Sequence, residues 1–233
     1  MENLALIIPV YNEDEAISFV INEWVEELEK LKIDFTIFAY NDGSKDNTSI
    51  ILKNLSDLYK NVVAIDKSNS GHGPTILQGY LENAETYTWL FQVDSDNEMQ
   101  AKDFYKLWEK RNDYDFLLGT RENRVQPLAR KIISLVSRCC INIFYGRGIY
   151  DVNSPYRLMR SEKFVNIFKE IPRDTFAPNL IVSGYVAKKK LRILEQNVPC
   201  YPRETGEVSI KKWKLLKAAI KSFWQTILFS FHL

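Results

Sequence analysis

The sequence predicts an α/β fold, a largely parallel central sheet flanked by helices. Three observations point there. Short apolar runs alternate with stretches of helical period at close spacing, the pattern that gives parallel strands joined by crossover helices. The first run, Leu4-Ala5-Leu6-Ile7-Ile8, is apolar at every position, as in a strand covered on both faces. Polar and charged residues gather just after these runs, and open α/β sheets bind ligands beyond the carboxyl ends of their strands. With 233 residues and 45% hydrophobic content, the chain suits one large domain, or a domain with an extension.

Taken in order, Pro9 ends the first strand. Asn12-Glu13-Asp14-Glu15 reads as a helix start, with Asn12 as N-cap and Glu15 three residues on. Ile17, Val20, Ile21, Trp24, Val25 and Leu28 carry the helical period through Leu31. Ile33 to Tyr40 is the second strand and Asn41-Asp42-Gly43-Ser44 a turn. Asp46 or Thr48 can cap the next helix, which runs to about Tyr59. Val62 to Asp66 is the third strand. A glycine-containing loop, Ser68 to Gly73, follows it, and Pro74 suits the first turn of a helix. Thr88 to Val93 is the fourth strand. A helix is expected over 101–111 and a fifth strand at Phe116 to Gly119.

The rhythm then changes. A long helix is expected from Pro127 to about Tyr145, then a turn and short strand through Tyr150 to Arg160, helices near 161–170 and 178–189, and a last strand at Leu191 to Gln196. An irregular stretch, Pro199 to Val208, precedes a C-terminal helix. No repeat or low-complexity linker interrupts this, so residues 1–208 read as one domain and 209–233 as a basic amphipathic helix.

Composition excludes several classes. Lys and Arg number 31 against 30 Asp and Glu, so no global field steers the chain to nucleic acid. Three cysteines, two adjacent (Cys139, Cys140), make no disulfide framework and suit a reducing compartment. The N-terminal apolar run is short with acidic flanks, unlike a signal peptide. No uninterrupted apolar stretch reaches the ~20 residues of a spanning helix. A cytoplasmic protein is expected.

The chemistry concentrates in Val93-Asp94-Ser95-Asp96-Asn97-Glu98-Met99. Three carboxylates in five residues at a strand end repel one another, and a divalent cation removes that repulsion. Hard oxygen ligands suit Mg²⁺ or Mn²⁺, which keep positions open for phosphate oxygens. Asp94 and Asp96, two apart on extended backbone, can face one ion, and Glu98 can add a third oxygen. The alternative is an acidic turn capping the following helix.

Together these residues resemble the inverting family 2 glycosyltransferases with the GT-A fold, a Rossmann-like, mostly parallel sheet flanked by helices. Within them the chain is most similar to polyprenyl-phosphate sugar transferases of the dolichyl-phosphate mannose synthase type. The resemblance covers roughly residues 4 to 209. Pro9-Val10-Tyr11-Asn12-Glu13 matches the first-strand motif and Asn41 to Thr48 the second. Asp94-Ser95-Asp96 matches the DXD motif, and Gly119-Thr120-Arg121 and Asp151 to Arg157 match later landmarks. The resemblance implies that Pro9, Tyr11 and Glu13 border the base and ribose, that Asp42 hydrogen-bonds the base, and that Gly71 lets backbone approach the nucleotide. It implies that Asp94, Ser95 and Asp96 serve the sugar-nucleotide and its metal. Glu98 stands where that branch commonly has Gln. Pro74-Thr75 departs from the small residues common in the third motif, and Gly71-His72-Gly73 lacks the third glycine of a dinucleotide fingerprint. His72 reads as a solvated loop residue.

Relatives that attack with a sugar hydroxyl use a general base, commonly an Asp in a Glu-Asp pair. The corresponding stretch here, Arg173-Asp174-Thr175-Phe176-Ala177-Pro178, lacks the pair and leaves Asp174 as candidate. A phosphate acceptor is already ionised and needs cations instead. Arg121, Arg130 and Arg203 fall where the lipid-phosphate branch places arginines, whose forks fit phosphate oxygens, and Arg203 to Ser209 resembles that branch's Arg-x-x-Gly-x-Ser landmark, with one extra residue before Ser209. Read blandly, these are surface arginines.

In the C-terminal segment Trp213, Leu216, Ile220, Phe223 and Ile227 form a 3,4-spaced stripe beside Lys214, Lys217 and Lys221. Such a helix can lie in a bilayer interface or pack on its own domain. The expectation is therefore an inverting, metal-dependent glycosyltransferase, peripheral on the cytoplasmic face of a membrane. It takes a sugar from a UDP- or GDP-sugar to a polyprenyl phosphate, with Asp94, Asp96, Arg121 and Arg130 at the reacting centre. Transfer to a saccharide hydroxyl is the alternative. A nucleotidyltransferase would carry Gly-x-Gly-Thr-Arg after its first strand, and Pro9 to Glu13 is not that.

Overall fold

The structure is a computed structural model that describes residues 2–122, 128–202 and 212–233, without the side chains of residues 128–130 and 212–219. Among the described residues seven strands form one sheet: β1 (Asn3–Val10), β2 (Asp34–Asn41), β3 (Val62–Asp66), β4 (Trp89–Gln92), β5 (Phe116–Glu122), β6 (Arg157–Arg160) and β7 (Ile193–Pro199). Their order is β3-β2-β1-β4-β6-β5-β7. β3, β2, β1 and β4 run parallel, as do β5 and β7. β6 alone runs antiparallel, between β4 and β5. The helices are α1 (Ile17–Lys30), α2 (Thr48–Leu58), α3 (His72–Asn83), α4 (Tyr105–Trp108), α5 (Leu128–Phe144), α6 (Val165–Glu170), α7 (Pro178–Lys189) and α8 (Lys212–Ser230).

The period of two along β1 divides its side chains between two cores. Leu4, Leu6 and Ile8 pack with α1, Trp24 and the Phe91–Phe104–Trp108 aromatics on one face. Ala5 and Ile7 pack with Leu77 and Tyr80 of α3 and the residues of α6 and α7 on the other. α3 lies so close to the sheet that a Cβ on Gly79 would come within 2.5 Å of Ile7.

Most element boundaries match the periodicity, including α7 at 178–189. The stretch 101–111 does not. It breaks into a 3₁₀ turn at Ala101–Asp103, the single-turn α4 and a second 3₁₀ turn at Arg111–Asp113. β5 runs three residues further than expected, which takes Arg121 into the sheet. Asn12 is not a helix cap. Its backbone is left-handed at φ 53, its Oδ1 accepts from the Lys45 amide at 2.8 Å, and α1 begins at Ile17 with no side-chain cap. Asn12 ties the β1 exit to the β2 exit instead.

The register sets the working edge. Val10 stands opposite Asn41, Ile7 opposite Gln92, and Gln92 opposite Arg157. β1, β2 and β4 therefore leave the sheet side by side, where Arg157 enters it.

Candidate active site

The β1 and β2 exits are laced together. The Asn12 amide donates to Ser44 Oγ at 2.9 Å, and the Glu13 amide donates to Thr48 Oγ1 at 2.9 Å. Pro9, Tyr11 and the buried Glu13 thus border the β2 turn. That turn needs Gly43, at φ 70 with the Asn69 amide 2.9 Å from where a Cβ would sit.

Asp42 is 4% exposed and already heavily bonded. Its carboxylate accepts from Lys67 Nζ, from the Ser70 amide at 2.8 Å and from the Gly71 amide at 2.8 Å. Burial pushes the Asp42 carboxyl up, and Lys67 with the two amides outweighs it, holding the group below its ordinary value. Asp42 therefore shapes the loop that carries Gly71, a structural task beyond the base contact the resemblance implies. Gly71 sits at φ 94, and no atom lies within 4 Å of the place a Cβ would take, so its backbone angle requires glycine and the space beside it is open. The close approach falls at Gly73, where a Cβ would meet the carbonyl oxygens of Phe176 and Thr175.

At the β4 exit, Asp94 accepts from Gln92 Nε2 at 3.2 Å and faces His72 Nε2 at 3.1 Å. His72 is exposed, as expected, but it is the first residue of α3 and a direct partner of the acidic motif rather than a loop residue. Burial first, then the negative charges of Asp96 and Glu98, push the Asp94 carboxyl up to about 6, against the opposing pull of His72 and Arg121. Asp96 Oδ1 accepts from the Glu98 amide at 3.2 Å, closing a tight turn with Asn97 left-handed at φ 54. Ser95 is buried. Glu98 turns toward the segment after β7: Cys200 Sγ donates to its carboxylate at 3.7 Å, and the Tyr201 amide donates to its carbonyl at 2.8 Å. Among the described residues no three His, Cys, Asp or Glu side chains converge closely enough to hold a metal ion. Asp94 and Asp96 share the strand end, and Glu98 stands aside from them.

Arg121 reaches this edge from β5. Its Nε and Nη2 fork onto Asp151 at 2.8 and 2.7 Å. Burial pulls the guanidinium down, and Asp151 with Asp94 more than restores it. The side chain of Arg130 is not among those described, and Arg203 and Ser209 lie outside the described residues. Asp174 is 72% exposed and bound to Lys221 of α8 at 2.9 Å, which holds its carboxyl below the usual range. That is a poor setting for a general base.

Beneath the acidic motif lies a buried polar relay that the sequence did not announce. Asn179 Nδ2 donates to Gln92 Oε1 at 2.8 Å, and Tyr80 Oη lies 2.9 Å from both Gln92 Oε1 and Asn179 Oδ1. The fully buried Arg157 donates to the carbonyls of Ser154 and Asn179. These contacts orient the Gln92 amide so that its NH₂ meets Asp94. One signal was present, because Gln92 is the single polar residue in the run Trp89 to Val93. Asn179 and Lys67 carried none stronger than their place at a helix start and a strand end.

In donor chemistry the site suits a hard divalent cation: Asp94 and Asp96 offer carboxylate oxygens, and the crowding that raises Asp94 is what a cation would relieve.

Comparison with known proteins defines the class. The fold superposes on glucosyl-3-phosphoglycerate synthase of Mycobacterium tuberculosis, solved with Mn²⁺, uridine diphosphate and phosphoglyceric acid, with a TM-score of 0.70 at 11% identity over 98% of this chain and 78% of that one. The architecture is that of the GT-A glycosyltransferases. Residues 5–151 match the model of glycosyl transferase family 2, and the chain belongs to that family. A dolichyl-phosphate beta-glucosyltransferase of Trichomonas vaginalis is 26% identical over 91% of this chain and 68% of its own length. An uncharacterized protein of Methanocaldococcus jannaschii is 29% identical over 91% of this chain and 94% of its own.

Proposed function

We propose that this glycosyltransferase moves a sugar, with inversion, from a nucleoside-diphosphate sugar to a polyprenyl phosphate, at the cytoplasmic face of a membrane that it meets through its C-terminal helix. The observation that carries the reading is the pairing of the Asp94–Asp96 strand end with Arg121 at one edge, while Asp174, the candidate base for a hydroxyl acceptor, is spent on Lys221. The dolichyl-phosphate relative supports the same acceptor class, and the Mn²⁺- and UDP-bound structural neighbour supports the donor class.

Asp94 and Asp96, with Glu98 if it swings from Cys200, would hold Mg²⁺ or Mn²⁺, which supplies Lewis-acid neutralisation of the departing diphosphate. Pro9, Tyr11 and Glu13 line the base and ribose. Asp42 meets the base while fixing the Ser70–Gly71 loop, and Gly71 leaves room for the nucleotide. Arg121, with Arg130, Arg203 and Ser209, gathers the acceptor phosphate. That phosphate is ionised near neutrality, so no residue need remove a proton from it. Asp151 keeps the Arg121 fork aimed and charged.

The test is transfer screened over UDP- and GDP-sugars with Mn²⁺ or Mg²⁺, with a short polyprenyl phosphate or with saccharides as acceptor. Transfer to the lipid phosphate is expected, and Arg130→Ala should impair acceptor use more than donor binding. Transfer to saccharides alone would overturn the acceptor.

A further inference from the structure

Two helices turn an apolar stripe outward. On α5, Ile132, Leu135 and Ile143 are 53%, 61% and 74% exposed, while Ile141 behind them is fully buried. On α8, Trp224, Leu228 and Phe231 just beyond its end are 57%, 60% and 76% exposed. The opposite face of α8 carries Ser222, Thr226 and Phe229, which are buried, and Tyr145 Oη donates to the Thr226 carbonyl. α8 is thus docked on α5 and α7 by the face of Ser222, Thr226 and Phe229, which leaves the face of Trp224 and Leu228 free. The stripes meet where the rings of Phe144 and Phe231 lie 6.3 Å apart.

Charge narrows the occupant. Residues 125–150 and 209–233 contain nine Lys and Arg and no Asp or Glu, in a chain whose totals are 31 and 30. The guanidinium of Arg138 lies 4.3 Å over the ring of the exposed Tyr150. Four of those bases, Lys131, Arg138, Arg147 and Lys221, have described side chains, and apolar residues accompanied in their segments by bases and by Trp and Tyr suit the headgroup level of an anionic bilayer. A second copy is a worse match, because a two-fold contact would set segments that carry bases and no acids against each other.

α5 also hangs from the site. It begins six residues after Glu122, and the chain returns from it to Asp151, the residue that grips Arg121.

We propose that α5 and α8 form one composite face that lies on an anionic lipid surface, with α5 bringing a lipid-borne phosphate to Arg121. The face extends the anchoring surface beyond the C-terminal helix to an internal element. Delivery of the phosphate rests on the acceptor reading above, and docking does not.

The test uses the full chain and vesicles of phosphatidylcholine with or without phosphatidylglycerol. Paired variants are Leu135→Ser with Val136→Ser on α5, and Trp224→Ser with Leu228→Ser on α8. All four positions are exposed, so melting temperatures should match the parent chain. The parent should bind the anionic vesicles at least about tenfold more tightly than the neutral ones, and each pair should weaken that binding by about tenfold or more. Transfer to a short, water-soluble polyprenyl phosphate should be unchanged, while transfer to a long-chain acceptor in vesicles should fall. Unchanged vesicle binding by the α5 pair, equal binding to neutral vesicles, or a dimer that the α5 pair dissociates would each overturn the composite face. Vesicle binding that responds as stated, without transfer to any polyprenyl phosphate, would support docking and overturn both delivery and the acceptor.

Discussion

Burial sets the behaviour of Asp94 before any ligand arrives. Its carboxyl is pushed up to about 6, so a proton competes with a cation below that pH. Mn²⁺ affinity, measured by calorimetry from pH 5 to 8, should fall by close to tenfold per unit below about 6 and level off above it; a flat profile would remove Asp94 from the cation. The sign for stability follows from linkage. The folded form holds this proton more tightly than the unfolded one, so the metal-free chain loses stability as pH rises from about 4 through 6. Asp94→Asn should then raise metal-free stability at pH 7 by on the order of 1–2 kcal/mol in urea titrations, discounted for partial exposure. Asp96→Ala should abolish transfer and leave the melting temperature near the parent's, and retained activity would remove its metal role. At this scale Arg121 was marked only by the family resemblance, while the strand-end acids were legible because polar residues after apolar runs are conspicuous. Lys67, His72 and Asn179 were not, because their partners lie across loops that only the folded chain brings together.

At the scale of elements, the N-terminus of α3 is wedged against the segment before α7. A Cβ on Gly73 would overlap the Thr175 and Phe176 carbonyls. Gly73→Ala should destabilise by about 2–3 kcal/mol, read as a lower urea midpoint, and a parental midpoint would show that the two segments part easily. Asn179→Ala at the start of α7 would leave buried groups of Gln92 and Tyr80 short of a partner, at a cost of ~1–3 kcal/mol. Element identities were readable from period and punctuation, as α7 illustrates. The failure at 101–111 has a physical cause. Phe104 and Trp108 stack together against Phe91 and Trp89, and that packing sets the local backbone in place of helical propensity. Likewise Asn12 has the right chemistry for a cap, but Ser44 and Lys45 claim it first.

At the scale of the molecule, the attachment of α8 separates into two kinds of contact. The Lys221–Asp174 pair is exposed, so Lys221→Ala should change stability by under ~1 kcal/mol. Phe229 is buried beside α5 and α7, and Phe229→Ala should cost ~3 kcal/mol and open the C-terminus to limited proteolysis. Equal effects of the two changes would mean that α8 is held by charge and not by packing. Sequence period announced an amphipathic α8 and left open whether it packs or meets lipid; the structure covers Thr226 and Phe229 against the domain and leaves Trp224 and Leu228 exposed.

The reversed strand β6 has a consequence for how this architecture can be varied. Because it enters the sheet at the edge where its neighbours leave, the residues ahead of it bring Asp151 to Arg121 without a further crossover. On the proposed reading the residues that meet the donor fall within 3–98, and the stretch between Arg121 and Arg157 is tied down at its ends, Arg121 by Asp151 and Arg157 by the Ser154 and Asn179 carbonyls. Exchanging that stretch for another of matching ends should alter what receives the sugar while leaving nucleotide recognition as it was, so diversity of products can arise without rebuilding the half that binds the fuel.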